Sequence, residues 1–288
     1  MTERSPAAWV TSLVERHCDG PGNDMQKGDG ERAWDAPLVG FANGADPIFE
    51  QYKTVVGEFH WTPLEVWQAT FPEETARLED LTVISWVLSQ TKATKADQRT
   101  RTVYPSVLWA RSRIFGEQFN HDMRNAVATQ LTEAGYPAVA PMEVPTFKIH
   151  DSEKFVWAST WSERHAAYAA GLGTFGLCDG LITAKGKAMR AGSVVARIDI
   201  AATPRPYTDH HAYCLFYAKG TCGECIPRCP VGALSEIGHD KVKCRAHLDK
   251  TRAYVTENYG FEGYGCGLCQ VGVPCESGIP PSLVPGMG

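Results

Sequence analysis

Apolar positions along the chain fall into helical and strand-like rhythms. Trp9, Val10, Leu13 and Val14 recur at helical spacing between charged residues, which predicts a short amphipathic helix near the N-terminus. Leu81–Ser89 (LTVISWVLS) is a nearly continuous apolar run rich in β-branched residues, suited to a strand covered on both faces. Phe115, Phe119, Met123, Val127 and Leu131 then step by fours, so Ala110–Gly135 reads as a helix that Gly135 stops. Pro47–Gly57 and Pro63–Gln68 read as short helices, Pro137–Pro145 as an extended segment, and Leu181–Thr183 and Ser193–Ala202 as strands. Thr160 and Glu163 stand at capping-box spacing and predict a helix that starts at Thr160 and ends at Gly171. The proline-flanked TPRPYTDHH, residues 203–211, reads as a linker between an α/β domain, residues 1–205, and a second domain, residues 206–288.

The second domain is set apart by its cysteines. Of ten in the chain, eight (Cys214, Cys222, Cys225, Cys229, Cys244, Cys266, Cys269 and Cys275) fall within the last 75 residues. The N-terminus lacks a secretory pattern and no apolar run reaches membrane-spanning length, so a cytoplasmic, reducing compartment is expected. There, clustered cysteines point to metal or catalysis and not to disulfides. GTCGECIPRCP, residues 220–230, supplies three quarters of the run C-x2-C-x2-C-x3-C-P that wraps a four-iron cluster, with Lys219 where the first cysteine would stand. In two-cluster ferredoxins each such motif lends its last cysteine to the other cluster. Crossed in that way, Cys222, Cys225 and Cys275 serve cluster one, while Cys229, Cys244, Cys266 and Cys269 serve cluster two. Cys214 is the unassigned cysteine nearby and is expected to be the fourth ligand of cluster one, returned there by a bulged loop; the alternative is a three-cysteine site with an open iron. A zinc ribbon fits less well, because 40 residues separate Cys225 from Cys266, against about 15–20 in the usual pattern. Two [4Fe-4S] clusters are therefore expected. Cys18 and Cys178 stand alone and read as small buried or surface thiols.

Other features narrow the picture. GLGTFG, residues 171–176, matches the dinucleotide fingerprint G-x-G-x-x-G, but a helix leads in and a short strand leads out, the reverse of the required order. A helix C-cap explains it better. A net charge of −5 gives no pull toward nucleic acid or an anionic membrane, so neither is expected as a partner. His210-His211 could ligate metal but would more often be solvated.

C-G-x-C-x3-C-P-x-G-A-L, the single Cys244 and G-C-G-L-C-Q together resemble epoxyqueuosine reductase and the corrinoid-dependent reductive dehalogenases. SERHAAYAAGLGTFG, residues 162–176, is similar to the segment of that family built around E-R and A-G-L-G, and ISWVLSQ resembles the strand before its corrinoid pocket. The resemblance implies a nitroreductase-like α/β domain holding cobalamin, followed by a bacterial ferredoxin-like domain that feeds it electrons. On that reading Gly171, Gly173, Thr174 and Gly176 line the corrinoid, where missing Cβ atoms allow close approach. Tyr104, Glu163 and His165 are the catalytic candidates, although Glu163 also fits a helix cap and His165 a packed helix face.

Three departures limit the transfer. The family's catalytic acid in D-S-x-P falls on Trp157-Ala158-Ser159-Thr160, with no carboxylate. Pro274 precedes Cys275 instead of following it, and no helical repeats for gripping tRNA follow within this sequence. The expected function is thus a cobalamin-dependent reductase of a small or medium organic substrate, served by an external electron donor, and not epoxyqueuosine reductase itself. The alternatives are an electron-transfer protein that reduces a partner such as a corrinoid protein, or a cobalamin-binding protein without turnover.

Overall fold

The apolar run of residues 81–89 becomes an inner strand of a four-stranded antiparallel sheet in the computed structural model, which describes residues 5–284. β1 (Leu38–Asn43) pairs with β2 (Thr82–Ser89), β2 with β8 (Met189–Ala196), and β8 with the two-residue β3 (Ala138–Val139). Every residue of β2 is buried because successive side chains enter opposite cores. Val83 and Val87 point to one, while Ile84, Trp86 and Leu88 point to the other. The Ile84 core is closed by α1 (Pro6–Asp19) and α5 (Val107–Glu133), whose apolar residues four apart share one face. The Val83 core is closed by α2 (Ile48–Val55), α3 (Pro63–Thr70) and α6 (Glu163–Ala169). α4 (Lys92–Arg99) links β2 to α5. The result is a mixed α/β fold.

Three small ribbons carry the functional surfaces: β4 (Ile149–Ser152) with β5 (Val156–Ser159), β6 (Gly173–Phe175) with β7 (Leu181–Thr183), and β9 (Leu234–Ser235) with β10 (Gly238–His239). The remaining helices are the short α7 (Leu215–Lys219) and α8 (Lys241–Tyr259), each stopped by a left-handed glycine, Gly220 or Gly260. No helix among the described residues is long and apolar enough to cross a membrane.

Several boundaries differ from the sequence reading. α6 starts at Glu163 with Ser162 at its N-cap. Thr160 accepts the Lys148 N–H at 3.2 Å instead, and the Glu163 carboxylate is drawn inward to the Ser193 hydroxyl. Only Ala138–Val139 of the extended segment 137–145 joins the sheet. β8 begins four residues before the expected Ser193, at Met189, because it pairs with the whole of β2. The segment 203–211 is no free linker. Tyr207 is buried, donates its hydroxyl to the Tyr168 carbonyl at 2.8 Å and accepts the Gly173 N–H.

The Val83 core also runs without a break into the cysteine-rich part, taking in Tyr213, Cys214, Cys225 and Leu234. Polar contacts join the same two regions: Gln98 donates to the Cys266 carbonyl at 2.6 Å and Tyr259 to the Pro105 carbonyl at 2.8 Å.

Gly173 shows how tightly the β6–β7 ribbon is drawn. A Cβ there would lie 2.3 Å from the Ile182 carbonyl oxygen across the ribbon. Gly173→Val is expected to lower stability by about 2 kcal/mol or more, since only backbone movement relieves the overlap. Gly22→Ala, whose new methyl meets only Phe119 at 3.5 Å, should be close to neutral. Chemical denaturation of both variants checks this, and equal midpoints would show that the ribbon yields freely.

Candidate functional site

Two hollows lie back to back, and β6 and α7 contribute neighbouring residues to both. Cys214, Cys222, Cys225 and Cys275 line one pocket over Gly176, Leu177 and Ile182. Phe175 and Tyr217, adjacent in sequence to Gly176 and Phe216, line a second cavity of about 530 Å³. The residues between Cys214 and Cys222 do not bulge as a loop. They wind into α7 with Cys214 at its N-cap, and Gly220 at φ 63 turns the chain back toward Cys222. Tight turns then aim the next thiols: Ile226 N–H donates to the Gly223 carbonyl at 2.8 Å, and Cys229 N–H to the Ile226 carbonyl at 3.0 Å.

The other cysteines gather beside the first set. Cys266 lies near Cys244 and Cys229, and Cys269 beside Cys178. Burial, reinforced by neighbouring sulfurs, pushes the Cys225 thiol up to about 12 and that of Cys266 up to about 11. Among the described residues, no group of three or more His, Cys, Asp or Glu side chains is placed to hold a single metal ion. The first four thiols line a hollow and do not converge on a point. Cys18 is isolated from them, held near Arg32 and Asn23. Cys178 is not isolated: it sits beside Cys269, and the Lys187 ammonium donates to its sulfur at 3.4 Å. No spacing rule in the sequence could have placed Cys178 there, since a tertiary contact between the β6–β7 turn and the Cys269 loop decides it.

The larger cavity lies between α2, β5, α6 and residues 208–211. His165 faces it, with its Nδ1 2.8 Å from Ser162 Oγ and its ring edge-on to Tyr52 at 4.8 Å. Burial, and then the neighbouring His60, holds His165 well below the usual histidine range, so the imidazole is neutral. His211 stacks on Tyr217 at 3.9 Å and bonds the Phe175 carbonyl through Nδ1, which makes the His210-His211 pair part of the wall. Asp179, in the left-handed region at φ 57, projects from the turn between β6 and β7. Burial would raise its carboxyl, but His239 at 3.0 Å and Lys241 at 3.6 Å hold it below the ordinary range. Trp157, Ala158 and Ser159 line the same cavity, so the stretch without a carboxylate does lie at the site.

Glu163 turns the other way. It lines a separate cavity of about 350 Å³ with Arg124 and Lys187, and Ser159, Ser162 and Arg164 border both this cavity and the larger one. The Ser193 hydroxyl donates to Glu163 and accepts from Trp161 Nε1 at 2.9 Å. Glu163 Oε1 and Arg124 Nη1 are buried with no partner among the described residues. Burial pushes the Glu163 carboxyl up to about 7, against the pull of Arg124 and Ser193.

The remaining candidates lie apart from His165. Tyr104 stacks on Tyr254 of α8 at 4.1 Å and borders neither cavity. Gly171, at φ 77, ends α6. Gly173 packs on Ile182, and Thr174 accepts the Tyr213 N–H at 2.9 Å. Gly176 borders the cysteine pocket. The close approach that Gly171 and Gly173 permit is therefore to the protein's own backbone at Pro204 and Ile182.

No protein-family model matches the chain. Among curated proteins it is 32% identical to an epoxyqueuosine reductase of Bacillus anthracis over 124 residues, covering 41% of this chain and 30% of the relative. It is also 32% identical to an epoxyqueuosine reductase of Lactococcus garvieae over 128 residues, covering 42% of this chain and 34% of the relative. The match thus spans about a third of these relatives' own length. A crystal structure of epoxyqueuosine reductase with an epoxyqueuosine-modified tRNA-Tyr stem loop superposes with a TM-score of 0.49 at 17% identity, covering 96% of this chain and 67% of the other. At that score the superposition adds no weight of its own.

The curated relatives are reductases by name, in line with the expected oxidoreductase, and they support the epoxyqueuosine reductase half of the resemblance. They give no support to the dehalogenase half or to cobalamin. Two expectations are corrected. The relatives are named for a nucleoside of tRNA, so the reading as a cobalamin-dependent reductase of a small organic substrate, with its electron-transfer and cobalamin-binding alternatives, does not stand. The exclusion of nucleic acid falls with it, since the nucleoside for which these relatives are named is carried by tRNA. That exclusion leaned on a net charge of −5, a sum that is blind to a local cluster such as Lys154, Arg164 and Lys241 at one cavity.

Because the folded state holds a proton on Glu163 that the unfolded chain releases, this group's stabilisation is full below its ordinary value of 4.5 and is lost as pH rises through about 7. The loss is at most about 3 kcal/mol. Glu163→Gln keeps a partner for Ser193 and cannot ionise, so its stability relative to the parent should improve steadily between about pH 5 and about pH 8. Denaturation of both proteins across that range checks it; a constant difference would place the carboxyl at its ordinary pKa.

Proposed function

We propose that this protein is an iron–sulfur oxidoreductase of the epoxyqueuosine reductase kind, acting on a modified nucleoside presented by tRNA in the cavity of about 530 Å³. The observation that carries this reading is the shared wall. A pocket lined by four cysteines neighbours a cavity lined by aromatic and cationic side chains, since the adjacent residues Phe175 and Gly176, and Phe216 and Tyr217, divide between the two. In architecture the proposal is a nitroreductase-like α/β domain, residues 1–205, joined to a two-cluster ferredoxin-like domain, residues 206–288, working in a reducing compartment such as the cytoplasm.

Cys214, Cys222, Cys225 and Cys275 would hold one four-iron cluster, and Cys229, Cys244, Cys266 and Cys269 the other. In support, the first pocket offers four sulfur donors among apolar side chains, with Lys187 as its one charged group and no carboxylate in its lining. Such clusters supply electrons one at a time from an external donor. The chain's own residues do the rest. Trp157, Phe155 and Tyr217 offer flat faces for a base, and Lys154, Arg164 and Lys241 offer positive charge for phosphates. His165, neutral and half-buried, can hydrogen-bond the substrate without adding charge.

Removing an epoxide oxygen as water consumes two electrons and two protons, so an acid is needed where the family's carboxylate is replaced by Trp157. Asp179 is held ionised by His239 and Lys241 and is poorly suited to give up a proton. Glu163 retains one near neutrality, behind the Ser159–Ser162 wall. It is the better proton store, reached through the cavity that borders both sites.

The test is expression in cells whose tRNA retains epoxyqueuosine, which supply the donor and every cofactor. Conversion of the nucleoside, followed by nucleoside analysis of purified tRNA, is expected; unchanged tRNA despite iron-loaded protein in those cells would overturn the assignment. Glu163→Gln should slow conversion by about a hundredfold, as loss of a general acid does. Cys214→Ala should retain roughly half the iron of the parent after anaerobic reconstitution, because only one site loses a thiolate. Cys18→Ala and Cys178→Ala should retain it all. Full iron in the Cys214 variant would leave the first cluster with a different ligand.

A further inference from the structure

Lys187 occupies an unusual position for a lysine. It is 3% exposed, and no carboxylate pairs with it among the described residues. Burying an unpaired ammonium costs several kcal/mol, so a lysine persists at such a place only where anionic groups surround it. Here those groups are sulfurs. Lys187 lines the first cysteine pocket with Cys225 and Cys275, and its ammonium donates to the Cys178 sulfur at 3.4 Å. Cys178 in turn sits beside Cys269 of the second proposed site, so one cation stands between the two sets of sulfurs.

The backbone fixes it there. Lys187 N–H donates to the Cys275 carbonyl at 2.9 Å. Gly186 lies so close to the next turn that a Cβ would stand 2.1 Å from the Glu276 carbonyl oxygen. The loop between β7 and β8 that delivers Lys187 and the loop that delivers Cys275 are thus locked together, and a Cβ at Gly180 in the β6–β7 turn would stand 3.8 Å from the stem of the lysine.

We propose that Lys187 is a fixed positive charge shared by the two iron–sulfur sites, raising the reduction potential of both. Each cluster gains one negative charge when it takes an electron, and a buried ammonium beside its ligand sulfurs stabilises that reduced form. A charge placed between the sites acts on both at once, so it lowers the cost of holding electrons near the substrate cavity without favouring one site alone. Nothing leaves or enters Lys187 in this role; it is a positioning residue that acts through the field. The proposal rests on the iron–sulfur reading above.

The experiment is a redox titration of anaerobically reconstituted protein, followed by electron paramagnetic resonance, on the parent, Lys187→Met and Lys187→Arg. Iron and sulfide are determined on each sample. The expected result is a fall in the midpoint potential of both clusters in Lys187→Met at unchanged iron content, with Lys187→Arg restored toward the parent because the charge returns. Should Lys187→Met not fold, Lys187→Gln removes the charge while keeping a hydrogen-bond donor and must show the same fall. A potential that stays at the parent value for either cluster, in a folded and fully loaded uncharged variant, overturns the shared charge. Failure of the parent itself to take up iron would overturn the iron–sulfur reading, and that outcome is separate from the comparison of potentials.

Discussion

The close approach of β6 to β7 is the constraint on which the functional half of this molecule depends. Gly173 brings its own backbone against the Ile182 carbonyl with no room for a side chain. That contact sets Phe175 into the larger cavity and Gly176 into the cysteine pocket, one residue apart. The turn at the end of the same ribbon places Cys178 against Cys269 and turns Asp179 toward His239 and Lys241. One short ribbon therefore forms the partition between the two hollows and reaches the second group of cysteines. Widening it would shift every one of these groups together, because none is attached to a loop of its own.

A second theme is charge held away from water. Glu163, Arg124 and Lys187 border one internal cavity, and each is less than a tenth exposed. Buried charges of this kind weaken a fold unless partners satisfy them, and Glu163 Oε1 and Arg124 Nη1 lack partners among the described residues. A carboxyl that stays protonated near neutrality and an ammonium surrounded by sulfurs are more readily understood as working parts than as supports for the sheet, which Val83, Val87, Ile84 and Trp86 already hold through their two cores.

Much was legible in the residues before any coordinates. The apolar run at 81–89, the steps of four in α5 and the cysteine spacing near the C-terminus each depend on local geometry: strand alternation, helical periodicity, and a loop wrapping a compact group. Those signals lie within a few residues of one another, so the sequence by itself determined the central strand, the long helix and the gathering of thiols. It also drew attention to Trp157–Thr160 as a stretch without an acid, and three of its residues line the cavity. Tertiary structure alone decided the rest. Glu163 and His165 are two residues apart yet face different cavities, because successive positions on a helix point in different directions and the sheet on one side recruits Glu163 through Ser193. Tyr104 is carried to α8, and the glycines after α6 are taken up by backbone packing. Cys178 and Lys187 were silent in the sequence because what matters about them is a set of contacts with sulfurs of the cysteine-rich segment 38 to 91 positions away, and no local rhythm encodes distance of that kind.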